Sequence, residues 1–95
     1  MPSHLLFQLP VEWTKTAERD LRCLDKKVVS KINNALARYV GLGHGNVRVV
    51  RSADRDPGGR RELALRAGNY RVLFYVAPSA IRVERILNRN VAYRQ

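Results

Sequence analysis

Ninety-five residues bound the molecule to one domain, 1–95, with a single modest core. Hydrophobic residues make up 45% of the chain, which excludes a disordered segment. Eighteen Lys+Arg against eight Asp+Glu leave a net charge of +10, which points to nucleic acid, an anionic membrane or an acidic protein as partner. The four lysines are Lys15, Lys26, Lys27 and Lys31, and from Arg48 onward every basic residue is arginine, a bias toward anion recognition rather than simple solubility. Cys23 is the one cysteine, so no intramolecular disulfide can form. With His4 and His44 it offers no metal-ligand spacing, and neither metal nor cofactor is expected. The N-terminus lacks a charged-then-apolar signal pattern and no apolar run approaches about 20 residues, so a soluble, cytoplasmic protein is expected.

In chain order, Leu5 to Trp13 reads as a strand that Pro10 interrupts, hence an edge strand or one with a break. Thr14 or Thr16 caps a first helix, with Ala17, Leu21 and Leu24 on its buried side and Arg19 and Arg22 off it. Asp25 is the N-cap of a second helix. Its stripe of Val28, Val29, Ile32, Ala35, Leu36, Tyr39 and Val40 has helical spacing, and Lys26, Lys27, Lys31 and Arg38 lie on a solvated side. The segment from Gly41 to Asn46 ends that helix in a glycine-rich loop that leaves His44 exposed. Trp13 and Tyr39 belong to the core or to an interface.

A short strand is expected at Val47 to Val50, followed by turn chemistry from Ser52 to Gly59. Arg61 to Ala67 alternates strictly: Leu63 and Leu65 point one way, Arg60, Glu62, Ala64 and Arg66 the other. A tight turn at Ala67-Gly68-Asn69 returns the chain as Tyr70 to Val76, and Ala77-Pro78-Ser79 turns it again into a last strand from Ala80 to Leu87. The elements are read as an α+β fold in the order β-α-α-β-β-β, a twisted antiparallel sheet packed against an N-terminal helical hairpin. Strict alternation puts Arg82 and Arg85 on opposite faces of the last strand. Arginine is rarely buried unpaired, so a sheet that keeps placing it on one face presents a planar, permanently charged donor surface suited to phosphate. Arg71 has a plain structural alternative, pairing with Glu62 or Glu84 across the sheet. Tyr75 suits either core packing or stacking on a base.

Four segments together resemble the RelE/ParE superfamily of toxins from bacterial and archaeal toxin–antitoxin systems, over about nine tenths of the chain. They are Val11-Glu12-Trp13-Thr14 with Ala17 and Leu21; Leu24-Asp25 opening a long helix; Leu65-Arg66-Ala67-Gly68-Asn69-Tyr70-Arg71-Val72; and Arg85-Ile86-Leu87-Asn88-Arg89 with Tyr93. For RelE-like members the resemblance implies a ribosome-dependent endoribonuclease that cleaves mRNA without metal and inhibits translation. For ParE-like members it implies inhibition of DNA gyrase; a catalytically weakened RNA-binding relative is a further alternative. An acidic antitoxin protein is the partner implied in each case, with ribosome and mRNA as the target of the first.

By position in the family, Arg71 contacts the scissile phosphate, Arg89 stabilises transition-state charge, and Tyr93 orients the 2′-OH or moves its proton. Arg66 opens the hairpin turn, and Arg60, Arg61 and Arg85 extend the RNA path. The chemistry needs a base for the 2′-OH, cations for the phosphorane and an acid for the 5′-oxygen. Arginine supplies the second and cannot supply the first. Glu62 and Ala64 stand where ribosome-dependent relatives carry lysines, Asn88 where many carry histidine, and Leu87 where glycine is common. The phosphate-holding half of the site is present in the sequence, and the proton-transfer half is thin.

Overall fold

The structure, a computed structural model, describes residues 9–50 and 55–88. Strand β1 spans Val11–Trp13, and Pro10 ahead of it has no N–H to give to a ladder; Leu5 to Gln8 of the expected strand lie outside the described residues. The Pro10 carbonyl still accepts from the Ile81 N–H at 2.9 Å. Thr14 opens helix α1 (Lys15–Arg22): its backbone is extended and its Oγ1 accepts from the Ala17 N–H at 3.0 Å. The same hydroxyl donates to the Glu84 carbonyl at 3.1 Å, and the Thr14 N–H donates to the Val83 carbonyl at 3.0 Å. One threonine therefore fixes both the start of α1 and its place against the last strand.

Helix α2 (Lys26–Leu42) follows Asp25, whose backbone takes the cap conformation while its carboxylate makes no cap hydrogen bond. Gly43 ends the helix at φ 71 and donates to the Tyr39 carbonyl at 2.8 Å, a left-handed closure that glycine adopts without steric cost. Ile32 and Leu36 are buried, and Val28, Ala35, Tyr39 and Val40 pack around the core.

Four strands come after the helices: β2 (Val47–Val49), β3 (Leu63–Ala67), β4 (Tyr70–Val76) and β5 (Ile81–Asn88). The α+β architecture is the expected one, and its five strands are the five taken in chain order above, one more than the string β-α-α-β-β-β shows. The sheet order is β1-β5-β4-β3-β2. Neighbours are antiparallel except β1 and β5, which pair in parallel through Val11↔Ile81 and Trp13↔Val83, so the sheet is mixed rather than wholly antiparallel. The hairpins start at the far edge and step back across the sheet, which brings the last strand beside the first in the same direction.

The helices cover one face. Leu65, Ala67, Val72, Phe74, Ile81, Val83 and Ile86 meet Ala17, Ile32 and Leu36 there, and the Tyr39 ring stands edge-on to Phe74 with centroids 5.6 Å apart.

The pairing of β4 with β5 slips once. Leu73 pairs with Arg85 but Phe74 with Val83, leaving Glu84 as an extra residue in a bulge. The slip resets the alternation of β5. Arg82, opposite Tyr75, and Arg85, opposite Leu73, therefore stand on the same side of the sheet, not on opposite faces as strict alternation requires.

Candidate nucleic-acid interface

The face away from the helices carries the chemistry, and its rows follow from the register. At one end Arg66, Arg71 and Leu87 lie side by side on β3, β4 and β5. The middle row holds Arg48, Ala64, Leu73 and Arg85, and the other end brings Tyr75 beside Arg82. Two-residue loop Gly68-Asn69 joins β3 to β4 at the Arg66 end, with Gly68 at φ 62 as a primed hairpin turn demands. β5 ends at that same end, Asn88 opposite Tyr70.

The two ends differ in how their arginines are satisfied. Asp56, whose side chain is only 3% exposed, accepts from the Arg60 guanidinium at 3.0 Å and lies 3.5 Å from that of Arg82. Its other oxygen takes the Arg60 backbone N–H at 2.7 Å. Arg82 also binds Glu84 at 3.0 Å and sits 6.0 Å over the Tyr75 ring. Burial pushes the Asp56 carboxyl up, but the Arg60 N–H, guanidinium and charge, with the Gly58 N–H, outweigh it and hold it below the usual carboxylate range. The sequence Asp56-Pro57-Gly58-Gly59 makes this possible. Gly59 N–H closes a turn on the Asp56 carbonyl at 2.8 Å with proline second, and a Cβ at Gly58 would run into the Arg60 guanidinium.

Glu62 is pushed above the usual glutamate range by burial and then by the charge of Glu84. Tyr75 is raised by burial, then by Glu62, Glu84 and Asp56, against a smaller lowering by Arg82. Neither group sits near Arg66 and Arg71. Glu62 is four extended residues from Arg66, about 13 Å along the strand.

At the edge, β1 covers only the first part of β5, which leaves the Ile86 N–H outward. Asp20 of α1 takes it at 2.8 Å and holds the Arg85 guanidinium at 2.8 Å with the same oxygen. Among the described residues Arg48, Arg61 and Arg66 are exposed and enter no ion pair, and Arg71 is half-buried between Arg66 and Leu87. The structure thus brings Arg66 and Arg71 together, engages Arg60 and Arg85 with carboxylates, and leaves Arg61 at the approach to β3. Arg89 and Tyr93 lie outside the described residues. Cys23 and His44 are exposed, and no group of three metal-ligating side chains occurs among the described residues.

Sequence reasoning missed Asp20 and Asp56. Each reads as ordinary, one a helix-surface acid and the other a turn former: Arg85 lies 65 residues from Asp20 and Arg82 lies 26 from Asp56, and only the link from Asp56 to Arg60 is local.

Residues 11–93 match the family described as the ParE toxin of the type II toxin–antitoxin system parDE. The chain belongs to this toxin family, within the RelE/ParE superfamily. No curated protein matches the sequence directly. Among solved structures, the toxin is similar to the RelB–RelE antitoxin–toxin complex of Methanococcus jannaschii, at 17% identity over 87% of this chain and 95% of that one, with a TM-score of 0.66. The YoeB dimer of Staphylococcus aureus gives 21% identity, 82% and 93% coverage and a TM-score of 0.65. The chromosomal ParDE system of Pseudomonas aeruginosa gives 21%, 86% and 97%, and 0.55. These likenesses are of fold: two helices on a five-stranded mixed sheet. The toxin's arginine-bearing face is the side of that fold the helices leave open.

Proposed function

We propose that the toxin is a ribosome-dependent endoribonuclease that cleaves mRNA and thereby inhibits translation, and that an acidic antitoxin neutralises it. The observation that supports this most is the adjacency of Arg66 and Arg71 at the end of the open face where β5 finishes at Asn88, the residue before Arg89. In this reading the 2′-oxygen attacks phosphorus as its proton leaves, and the bond from phosphorus to the 5′-oxygen breaks as that oxygen gains a proton. Arg71 and Arg89 hold the added negative charge, and bidentate guanidinium contacts suit a phosphorane. Tyr93 orients the 2′-OH or moves its proton. Glu62 is the described carboxyl pushed toward neutrality, but its distance from Arg71 takes it away from the same phosphate. In a translating extract, purified toxin is expected to cut message within codons; intact message at a full translation rate would overturn the proposal, as would full activity of an Arg71→Ala, Arg89→Ala double variant.

The second reading is inhibition of DNA gyrase. It is favoured by the ParE description of the matching family and by the distance of the shifted acid, Glu62, from Arg66 and Arg71. A supercoiling assay separates the two: inhibition by micromolar toxin with message left whole supports gyrase, and unimpeded supercoiling removes it.

A further inference from the structure

The open face is divided electrostatically, and the divider is Asp56. Three of its arginines, Arg60, Arg82 and Arg85, are tied to carboxylates of the chain itself. Arg48 and Arg66 are exposed and outside every ion pair among the described residues. Ala64 pairs with Arg48 across the sheet, so Arg48 and Arg66 are diagonal neighbours, about 7–8 Å apart at the backbone. Leu73 and Leu87 stand in the same rows on the same face, giving apolar contact beside the charges.

We propose that single-stranded RNA docks along the diagonal from Arg48 to Arg66 and on toward Arg71, and that Asp56 sets the limit of this track by holding Arg60 and Arg82 out of it. The proposal deepens the RNA-directed reading above and rests on it. Charge complementarity selects a polyanion, and single-stranded RNA is the one that the reading above brings next to Arg71. Asp56 acts as an internal stand-in for phosphate. Buried and singly charged, it engages two guanidinia that would otherwise extend the footprint across β5, while Glu84 takes the Nε of Arg82. The toxin then grips a short stretch of backbone next to Arg71 instead of binding nucleic acid over the whole face.

The test is the salt dependence of binding to a fluorescent oligouridylate across a series of potassium chloride concentrations. For a single strand, each phosphate that is no longer neutralised lowers the log–log slope by about 0.7. Arg48→Ala and Arg66→Ala are each expected to flatten the slope by about that amount, while Arg82→Ala leaves it unchanged. Asp56→Asn is expected to steepen it by about 0.7, as Arg60 is released, and Asp56→Asn with Glu84→Gln by about 1.4, as Arg82 is freed too. Adding Arg82→Ala to that double variant should remove about half of the gain. The proposal is overturned if Arg82→Ala flattens the slope as much as Arg66→Ala does. A folded Asp56→Asn protein, checked by circular dichroism, that keeps the original slope overturns it as well. Binding of polyglutamate with the same affinity and the same dependence on Arg48 would overturn the assignment to RNA. The ribosome assay reads separately: no cleavage by the unaltered toxin sinks the nuclease reading, whereas these slopes decide the track.

Discussion

The sheet has the same strands on both of its faces, yet the two faces are held in place by different physics. On the helix-covered face, Phe74, Val72, Val83, Ile81 and Leu65 are buried against Ile32 and Leu36, and the attraction is non-directional burial of apolar surface. On the open face the fixed points are ion pairs and hydrogen bonds: Asp56 with Arg60 and Arg82, and Arg82 with Glu84, joined at the sheet edge by Asp20 with Arg85. A hydrophobic face tolerates many arrangements of similar volume, whereas an arginine can be held or left available only by the placement of particular carboxylates. Where those carboxylates fall decides which part of the open face can meet a partner.

Substitution can break this contrast most sharply at neighbouring positions of β4. Phe74→Ala should cost about 3–5 kcal/mol in denaturant unfolding through reduced burial and a residual cavity, and Leu73→Ala on the opposite face far less. Equal costs would show that the open face is as closely packed as the core. Next, Arg71→Ala is expected to lower message cleavage about a hundredfold, equivalent to about 2.7 kcal/mol, with unfolding little changed. A variant that loses stability and activity together would make Arg71 structural instead.

At the sheet edge, Asp20→Ala removes the acceptor for the Ile86 N–H and the partner of Arg85, for an expected loss of about 1–3 kcal/mol by chemical denaturation. Thr14→Ala should cost about 1 kcal/mol through the N-cap of α1.

The smallest effect concerns pH. Glu62 titrates higher in the folded state than in the unfolded one, through burial and then Glu84, so its ionisation opposes folding and stability falls as pH rises from the ordinary glutamate range through the folded value. Glu62→Gln should therefore unfold at higher temperature than the unaltered protein at neutral pH, and the gap should close in acid. Asp56 works in the opposite direction: its lowered value adds stability above the ordinary aspartate range that is lost as pH falls through the folded one. Thermal melts across acid pH for Glu62→Gln and Asp56→Asn check the two signs, and a Glu62→Gln advantage that persists in acid would remove the electrostatic explanation.

Much of the fold was legible because its signals are local. The i, i+4, i+7 stripe of α2, the strict alternation before Gly68-Asn69, and threonine or aspartate ahead of each helix are matters of period and cap chemistry, and the elements sit where those patterns put them. The closeness of Arg66 and Arg71 was legible for the same reason, since a two-residue hairpin loop places its flanking residues in register. The parallel β1–β5 edge was not, because strand neighbours on a sheet follow from how the chain wraps its core. The bulge at Glu84 was equally hidden: sequence alternation carries no mark of one added residue, and that residue reverses the alternation from Arg85 to Asn88.

The sequence by itself determined the element types, the basic character of the last third, and which residue types could hold phosphate. Tertiary structure decided which of those arginines are engaged. Asp20 reaches Arg85 and Asp56 reaches Arg82 across 65 and 26 residues of chain, and no local pattern encodes a contact made only when β5 lies beside α1 and the 55–60 loop folds onto the sheet. Propensity and patterning act within a few residues of chain, whereas charge neutralisation acts within a few ångströms of space.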